Sequence, residues 1–294
     1  MLDILEHLRK SGIAYEENVP MSAKTTFRIG GAAELVLLPE SKEEAAECVR
    51  LCGVEKPFVL GCGSNLLVKD SGISRPVIST KRLKEISLEG NVIRCGAGVK
   101  LSELCWFAQK NSLTGLEFAY GIPGSAGGAA YMNAGAYGGE MKDILQKIEY
   151  VNAAGELCEL PVEKAELGYR HSVFMNVGGL VTRITVRLVP GDADEIKAKM
   201  QEIMQKRRDK QPLEYPSAGS VFKRPAGHFT GELIQRCGLK GKNVGGAYVS
   251  EKHAGFMVNM GGATAADVRA LIAVVQTVVE QETGILLEPE LKFV

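Results

Sequence analysis

The chain of 294 residues carries 35 Lys and Arg against 35 Asp and Glu, so its formal net charge at pH 7 is zero. Its content of 45% hydrophobic and 24% charged residues is typical of a globular protein and excludes disordered and fibrous classes. Zero net charge also removes the basic excess that drives nucleic-acid binding, and no apolar run reaches the ~18–20 residues that a membrane span needs. We therefore expect a small-molecule ligand bound by one large or two ordinary domains.

The spacing of apolar residues predicts helices and strands along the whole chain. The first part predicts helix 1–10, strand 35–38, a helix opened by the capping-box pattern at 41–44, strand 57–60, extended residues 66–68, strands 77–79 and 92–95, and helix 101–111. The second part predicts a packed loop region 115–139, a hairpin of 147–153 and 156–160, strand 180–189, helix 192–208, helix 265–283 and a last strand 285–294. Region 115–139 has too much glycine for a continuous helix and too many apolar residues for a solvated linker. The order of elements predicts an α+β fold in two parts.

The first ten residues and the cysteines indicate the compartment. Asp3, Glu6 and His7 stand among the apolar residues at the start of the chain, a pattern that is not typical of a signal peptide. The seven cysteines are an odd number and include no CxxC pair, so we expect them to be reduced and to fill space as small apolar side chains. A cytoplasmic location follows as the expectation.

Several common motifs are absent from the sequence. It contains no GxxxxGK[ST] P-loop and no GxSxG hydrolase motif. The GCG at 61–63 and the GAG at 96–98 lack the third glycine of a Rossmann fingerprint, because Leu66 and Leu101 stand in its place. The four histidines have neither HExxH nor HxH spacing, so no metal site is expected.

Glycine is unusually frequent, with 34 residues, well above the usual ~7%. Two clusters, GCGSN at 61–65 and GIPGSAGG at 121–128, each follow an apolar segment. Either loop alone also fits a tight turn, but two loops that expose backbone N–H groups favour the pyrophosphate of a dinucleotide cofactor. The candidate cofactor-binding residues in these loops are Gly61, Cys62, Gly63, Ser64, Asn65, Gly121, Pro123, Gly124, Ser125 and Gly128.

Longer motifs carry a family resemblance. They are TTFRIGG (25–31), LGCGSNLLVKD (60–70), GIPGSAGGAAYMNAGAYG (121–138), YRHSVF (169–174), PSAGSVFKRP (216–225), KHAGFMVN (252–259) and LEPELKF (287–293). Together they resemble the bacterial UDP-N-acetylenolpyruvoylglucosamine reductases, in their shorter subtype. The first 190 residues are similar to the FAD-binding fold of the vanillyl-alcohol oxidase and p-cresol methylhydroxylase superfamily, which holds FAD without a Rossmann fingerprint.

The resemblance implies a domain organisation and a reaction. It implies an N-terminal helical segment 1–21, an FAD-binding domain of two α/β subdomains at 22–190 and a C-terminal α+β substrate-binding domain at 191–294. NADPH would reduce FAD, and the flavin would then pass hydride to the enolpyruvyl ether of UDP-N-acetylglucosamine, giving UDP-N-acetylmuramate for peptidoglycan synthesis. No His stands where related oxidases attach flavin, so FAD is expected to be non-covalent. We expect a monomer with no nucleic-acid or membrane partner.

Three residues match the catalytic positions of the family. Hydride addition to a double bond conjugated with a carboxylate builds enolate charge, which requires a cation. The resemblance implies Arg170 for that role, Ser220 as the proton donor and Glu290 as an acid, which helps only when it is protonated or close to Arg170. Taken alone, the same residues fit a surface salt bridge, a turn and a solvated strand position.

Five further matches concern binding. Tyr169, Lys210 and Arg224 match substrate-binding positions, and the last two bracket the Ser220 loop as ligands for the UDP diphosphate. Arg207 and Arg28 match positions near the cofactor, and for Arg28 a structural role fits equally well.

The chain departs from the longer members of the family in two respects. Those members carry Asn where this chain has Arg224, and they contain an additional segment with a Tyr that caps the substrate. Only about 50 positions separate Arg170 from Ser220 here, as in the shorter subtype. How the substrate is enclosed is therefore left open by the sequence.

Two other functions compete with this interpretation. A flavin oxidase of the same superfamily, acting on a sugar or alcohol with O2, would explain the glycine loops but not GSVFKRP at 219–225 or LEPELKF at 287–293. A non-catalytic protein that binds a UDP-sugar or flavin would not require Arg170, Ser220 and Glu290 together.

Overall fold

The structure is a computed structural model that describes residues 2–53 and 55–294. Its helices are α1 (Leu2–Ser11), α2 (Lys42–Cys52), α3 (Leu101–Lys110), α4 (Ala126–Tyr131), α5 (Phe174–Val177), α6 (Ala193–Lys210), α7 (Thr230–Arg236) and α8 (Ala265–Thr283). Its strands are β1 (Tyr15–Pro20), β2 (Ala32–Leu37), β3 (Phe58–Leu60), β4 (Leu66–Leu67), β5 (Val77–Ser79), β6 (Ile86–Glu89), β7 (Val92–Gly96), β8 (Leu113–Thr114), β9 (Gly135–Ala136), β10 (Gly139–Glu140), β11 (Leu145–Val151), β12 (Leu157–Pro161), β13 (Leu180–Arg187), β14 (Val189–Pro190), β15 (Ser217–Ser220), β16 (Asn243–Val244), β17 (Ala247–Val249), β18 (Phe256–Asn259) and β19 (Lys292–Phe293). This mixture of helices and strands confirms the α+β class. Met1, where the first helix was predicted to begin, lies outside the described residues.

The chain forms two compact units, and each is assembled from separate segments. Unit 1 contains the residues up to Glu17, Glu34–Cys62 and Ser74–Gln205, and unit 2 contains Asn18–Ala33, Gly63–Ile73 and Lys206–Val294. These units have other boundaries than the domains expected at 1–21, 22–190 and 191–294, and that division stays a prediction.

Unit 1 is built on two sheets. One has the strand order β1-β2-β5-β3, with β2, β5 and β3 parallel, and the other is antiparallel with the order β12-β11-β13-β7-β6. Helix α2 begins as its capping pattern predicts, because the Ser41 hydroxyl accepts a hydrogen bond from the Glu44 amide at 3.1 Å. Its buried face packs on β11, and α4 packs on β7 and β13. These contacts place α4, and the glycine loop before it, on the antiparallel sheet.

Unit 2 packs helices on an antiparallel sheet with the order β15-β18-β17-β16. Helix α8 lies on β16 and β17, starts with a capping box between Thr264 and Asp267, and ends at Gly284 in the left-handed conformation. Phe27, Ile29 and Leu67 come from the two early segments of the unit, yet they are buried in the same core as α8. Burial of these apolar side chains in the common core therefore makes the early segments part of unit 2.

The end of the chain differs from the predicted strand 285–294. Only β19 is a strand there, and it pairs in parallel with β4. Before it, the Glu290 amide donates to the Val221 carbonyl at 2.7 Å and the Lys223 amide donates to the Glu288 carbonyl at 2.8 Å. Pro289 between them has no N–H to donate, so the pairing with 221–223 does not extend into a regular ladder.

Two other predicted elements differ in their bounds. Region 115–139 is mostly loop as expected, but α4 forms within it, where a Cβ on Gly127 would lie 2.6 Å from the Ala97 Cβ. Close packing on β7 therefore requires the glycine that lowers helix propensity. The predicted strand 180–189 is interrupted at Leu188, after which β14 pairs with β8 rather than with the large sheet.

Candidate active site

The two glycine loops meet in unit 1 at Ser125. Its hydroxyl is buried and accepts a hydrogen bond from the Gly128 amide at 3.3 Å, so Ser125 caps the start of α4. A Cβ on Gly61 would lie only 2.8 Å from the Ser125 oxygen, so the first loop requires glycine at this contact. The Cys62 thiol is hydrogen-bonded to the same serine, and burial raises the pKa of this thiol. Cys62 is therefore a neutral thiol at pH 7 and not a nucleophile.

The backbone of these loops fits an anionic ligand. Within the described residues, the amides of Cys62, Gly121 and Ser125 donate to no backbone acceptor, although their neighbours Ile122, Gly124 and Ala126 do. Gly121 has a φ of +81°, and Pro123 has no N–H to offer. Uncommitted amides beside small residues are what the phosphates of a dinucleotide require, so the arrangement fits the predicted cofactor.

The rest of the first loop belongs to unit 2. Gly63 has a φ of +64°, and a Cβ there would lie 2.3 Å from the Lys24 carbonyl oxygen, so no other residue fits. The Asn65 side-chain amide donates to the Glu290 carbonyl at 3.3 Å, and the Lys292 amide donates to the Asn65 carbonyl at 3.0 Å. The backbone of this loop thus aligns the segment that carries Glu290.

Ser220 and Glu290 are brought together in unit 2. Ser220 ends strand β15, directly after Gly219, whose φ is +79° and which permits a break in the register with β18. The Ser220 hydroxyl donates to the Phe222 carbonyl at 3.2 Å. The Glu290 amide donates to the carbonyl of Val221, the residue next to Ser220, at 2.7 Å. The two predicted catalytic residues are therefore fixed by neighbouring backbone positions.

Arg170 lies in unit 1, on a tight turn closed by two hydrogen bonds between Gly168 and His171, at 3.1 and 3.2 Å. Its φ of +54° is a left-handed conformation that is uncommon for a residue other than glycine. Its guanidinium carbon lies 5.3 Å from the centre of the exposed Tyr169 ring. A strained backbone at a half-buried cationic residue is typical of a binding position.

The side chain of Asn133 is hydrogen-bonded to this turn. The sequence did not indicate Asn133 as a site residue. Its side chain is buried, donates to the Gly168 carbonyl at 2.9 Å and to the Glu140 carboxylate at 2.7 Å, and accepts from the Lys142 amide at 2.9 Å. A single asparagine in a glycine-rich segment is also typical of a turn, so only its burial and partners reveal its role.

The remaining predicted residues lie in unit 2. Arg28 has a φ of +54° between two buried neighbours, and its carbonyl accepts a hydrogen bond from Asn259 at 3.5 Å. Arg207 is buried in α6 and donates to Gln211 at 3.5 Å, whereas Lys210 is exposed at the end of that helix. The Arg224 guanidinium lies 4.6 Å from the centre of the exposed Phe229 ring. All four are basic side chains of the kind that binds phosphate groups.

His253 is a second residue that the sequence did not select. A Cβ on Gly255 would lie 3.0 Å from the His253 Cε1 and 3.6 Å from the Ser220 hydroxyl oxygen, so only Gly255 separates the ring from that hydroxyl. The Gly255 amide donates to the His253 Nδ1 at 3.1 Å. Burial lowers the pKa of His253, and the charges of Lys240 and Lys210 lower it further. The ring is therefore neutral at pH 7, with its proton on Nε2.

The described residues contain neither a metal-binding cluster nor a membrane-spanning helix. Across residues 2–53 and 55–294, no group of three or more His, Cys, Asp or Glu side chains could hold a metal ion. In the same part of the chain, every helix is too short or too polar to cross a membrane. No disulfide links any of the seven cysteines.

Two family models match the chain, each over a different part. An FAD binding domain covers residues 33–161, which include both glycine loops, and the C-terminal domain of UDP-N-acetylenolpyruvoylglucosamine reductase covers residues 211–294. The UDP-N-acetylenolpyruvoylglucosamine reductase of Geobacillus thermodenitrificans is 48% identical over 295 residues, which cover 98% of this chain and 97% of that protein. The chain belongs to the UDP-N-acetylenolpyruvoylglucosamine reductase family.

Other members of this reductase family agree over similar lengths. The reductase of Syntrophomonas wolfei is 48% identical over 280 residues, which cover 94% of both proteins. A crystal structure of the reductase from Thermus caldophilus superimposes with a TM-score of 0.83 at 36% identity, and the match covers 96% of this chain and 98% of that one. The resemblance stated from the motifs, including its FAD-binding domain, is confirmed.

Proposed function

We propose that this protein uses NADPH and FAD to reduce the enolpyruvyl ether of UDP-N-acetylglucosamine to UDP-N-acetylmuramate. Membership of the reductase family supports the reaction, and one observation supports it at the level of chemistry. That observation is the 2.7 Å hydrogen bond from the Glu290 amide to the Val221 carbonyl, which aligns the main chain at the predicted acid with the residue that follows Ser220. Hydride addition to the enol ether must be followed by protonation of the neighbouring carbon, and Ser220 is the proposed donor for that step.

The cofactor is proposed to bind through backbone amides and basic residues. The amides of Cys62, Gly121 and Ser125 would hold the pyrophosphate of FAD, and Arg28 and Arg207 are proposed as further cofactor-binding residues. The chemistry that bound FAD supplies is hydride transfer, from NADPH in one half-reaction and to the terminal vinyl carbon of the enol ether in the next. Binding is proposed to be non-covalent, with NADPH as the reductant.

Arg170 is proposed to bind the carboxylate of the substrate. Addition of hydride to the vinyl carbon moves negative charge onto the carboxylate oxygens, and a guanidinium can contact both oxygens at once. Because the charge grows during the reaction, this contact stabilises the transition state more than the bound substrate. Tyr169, beside the guanidinium, is proposed to contact the substrate as well.

Ser220 is proposed to donate the proton that completes the reduction. The hydroxyl that now donates to the Phe222 carbonyl would instead give its proton to the carbon next to the carboxylate. A hydroxyl is a weak acid, but the accepting carbanion is strongly basic, so correct position matters more than acidity. Glu290 in its protonated form can donate a hydrogen bond to the enolate, whereas its carboxylate would repel it.

Lys210 and Arg224 are proposed as ligands of the UDP diphosphate. Both are cations that flank the Ser220 loop, with Lys210 before it and Arg224 after it. The Arg224 guanidinium lies beside the exposed Phe229 ring, and a guanidinium can donate hydrogen bonds to phosphate oxygens.

The setting of the reaction is also a proposal. A product that is a precursor of peptidoglycan would connect this protein with cell-wall synthesis and, through it, with cell shape and division. We propose that it works as a monomer in the cytoplasm, where NADPH and UDP-linked sugars are made. Its cysteines, which form no disulfide, are compatible with a reducing compartment.

The experiment is to incubate the purified protein with FAD, NADPH and the enol ether without oxygen and to determine the mass of the nucleotide sugar. The proposed function predicts a product heavier by two hydrogens, formed as NADPH is consumed. In a parallel incubation in air with a sugar or alcohol, oxidation of that compound with consumption of O2 would support the oxidase instead. Tight binding of the nucleotide sugar without any product would support a protein that only binds it.

A further inference from the structure

Helix α4 connects two parts of the candidate site in unit 1. At its start, Ser125 caps the helix and contacts the first glycine loop. At its other end, Tyr131, the last residue of the helix, and Asn133, two residues beyond it, contact the segment that carries Arg170. At 1.5 Å per residue, a helix of six residues is only about 9 Å long, so it acts as a short rigid spacer.

The Arg170 turn is fixed to this spacer on both sides. Before the turn, the Asn133 amide donates to the Gly168 carbonyl at 2.9 Å. After the turn, the Ser172 hydroxyl donates to the Tyr131 carbonyl at 2.6 Å, and the Ser172 side chain is fully buried. One partner of each hydrogen bond, Asn133 or Ser172, is buried, so these contacts restrain the turn more firmly than fully exposed contacts would.

Asn133 is itself held in one orientation. Its carbonyl oxygen accepts from the Lys142 amide, and its amide donates to Glu140 as well as to Gly168. Only 1% of Asn133 is exposed, and its φ is +42°. With three side-chain hydrogen bonds of 2.7–2.9 Å, the side chain cannot rotate without leaving buried polar groups unsatisfied.

We propose that Asn133 is the positioning residue for Arg170 and that it thereby sets recognition of the substrate carboxylate. The proposal rests on the proposed function, because it gives Arg170 a carboxylate to bind. Arg170 needs such support because its left-handed backbone conformation is unfavourable. A misplacement of about 1 Å at a bidentate contact is enough to lower a rate by on the order of 100-fold.

The test uses Asn133→Asp, which keeps the shape and the acceptor but loses the amide that donates to Gly168. A matched control is Asn152→Asp, because Asn152 also ties a turn in unit 1, accepting from the Ala154 and Glu156 amides at 2.9 and 3.0 Å. Asn152 lies in the hairpin between β11 and β12 and is not among the candidate site residues.

The first measurement is calorimetric binding of two nucleotide sugars to each protein without NADPH. UDP-N-acetylmuramate carries the carboxylate, and UDP-N-acetylglucosamine does not, so the ratio of their affinities reports the carboxylate contact. The wild type and Asn152→Asp are expected to share the same ratio. Asn133→Asp is expected to lose most of the preference for the carboxylate, while its affinity for UDP-N-acetylglucosamine stays within about twofold.

The second measurement separates the half-reactions. In Asn133→Asp we expect wild-type FAD content and a wild-type rate of flavin reduction by NADPH, but reoxidation by the enol ether slower by about 10- to 100-fold. An unchanged affinity ratio with unchanged reoxidation would overturn the proposal. Loss of FAD, or an equal fall in both half-reactions, would assign Asn133 a purely structural role and would overturn it as well.

A second variant covers the case in which Asn133→Asp does not fold. Ser172→Ala removes the other hydrogen bond of the turn and is expected to lower the carboxylate preference in the same direction. If the wild type itself neither prefers the carboxylate nor reoxidises its flavin with the enol ether, the proposed function fails first. If the wild type does both and the two variants behave like it, only the role of Asn133 is refuted.

Discussion

The main chain of Glu290 is hydrogen-bonded at 2.7 Å to the carbonyl of Val221, so the segment at the end of the chain is aligned with the residue that follows Ser220. Ser220 and Glu290 are 70 positions apart in the sequence, yet both lie in unit 2. The contact uses backbone atoms, and its geometry therefore does not depend on either functional side chain. Substitution of those side chains should change the chemistry without removing the support.

Ser220→Ala should separate binding from reduction. The hydroxyl makes only one described hydrogen bond, to Phe222, so its loss should leave the fold and the FAD content unchanged. Flavin reduction by NADPH should keep its rate, and turnover with the enol ether should fall by on the order of 100- to 10,000-fold, the usual contribution of a positioned proton donor. Stopped-flow absorbance of the flavin measures both steps. Wild-type turnover in this variant would refute the assignment of Ser220.

Arg170→Lys should be impaired although the charge is kept. An ammonium cannot contact both carboxylate oxygens in the planar fork of a guanidinium, so the contact that grows in the transition state is weakened. We expect kcat/KM to fall by about 10-fold for Lys and by about 100-fold or more for Ala, with kcat carrying most of the loss. Steady-state kinetics with the enol ether checks this. Equal values for Arg170→Lys and the wild type would mean that only positive charge is needed.

Gly61→Ala should release the cofactor. The new methyl group would lie 2.8 Å from the Ser125 oxygen and would separate the two glycine loops. We expect a clear loss of bound FAD, measured as the ratio of flavin to protein absorbance. The control is Gly90→Ala, where no atom lies within 4 Å and the φ of +60° predicts a loss of stability without loss of FAD. An equal FAD content in both variants would contradict the assigned contact.

His253 should make stability depend on pH. Its pKa is lowered in the folded protein, mainly by burial, so at acidic pH the unfolded chain binds more protons at this residue than the folded chain does. The stabilisation from the neutral ring is therefore present above the unfolded pKa of about 6.5 and is lost as the pH falls below it. Melting curves between pH 7.5 and 5.5 should show a smaller decrease for His253→Asn, which keeps an acceptor for the Gly255 amide. A decrease as steep as in the wild type would exclude this residue as a cause.

The sequence predicted those features that depend on short-range patterns. The capping residue Ser41 marked the start of α2, and the glycine loops were found because two clusters of glycine with Ser and Asn occur in one chain. The family motifs around Arg170, Ser220 and Glu290 then implied chemistry that spacing alone did not contain.

Features that depend on distant contacts were not predicted. Phe27 and Leu67 look like ordinary apolar residues in the sequence, and only packing reveals that they belong to the core of unit 2. The apolar residues of segment 285–294 predict a single strand. In the structure, Pro289 and the pairing with 221–223 limit the regular strand to β19. Asn133 was not predicted because its role depends on hydrogen bonds with Glu140, Gly168 and Lys142. The sequence does not show that these residues lie beside it.

The most direct test of the account follows the flavin absorbance of the purified protein without oxygen. NADPH is added first, and the enolpyruvyl ether of UDP-N-acetylglucosamine is added after the absorbance has bleached. If the protein has the proposed function, the colour returns upon addition of the enol ether, with one equivalent of UDP-N-acetylmuramate per flavin. A flavin that stays bleached until air is admitted would contradict it and would favour the oxidase.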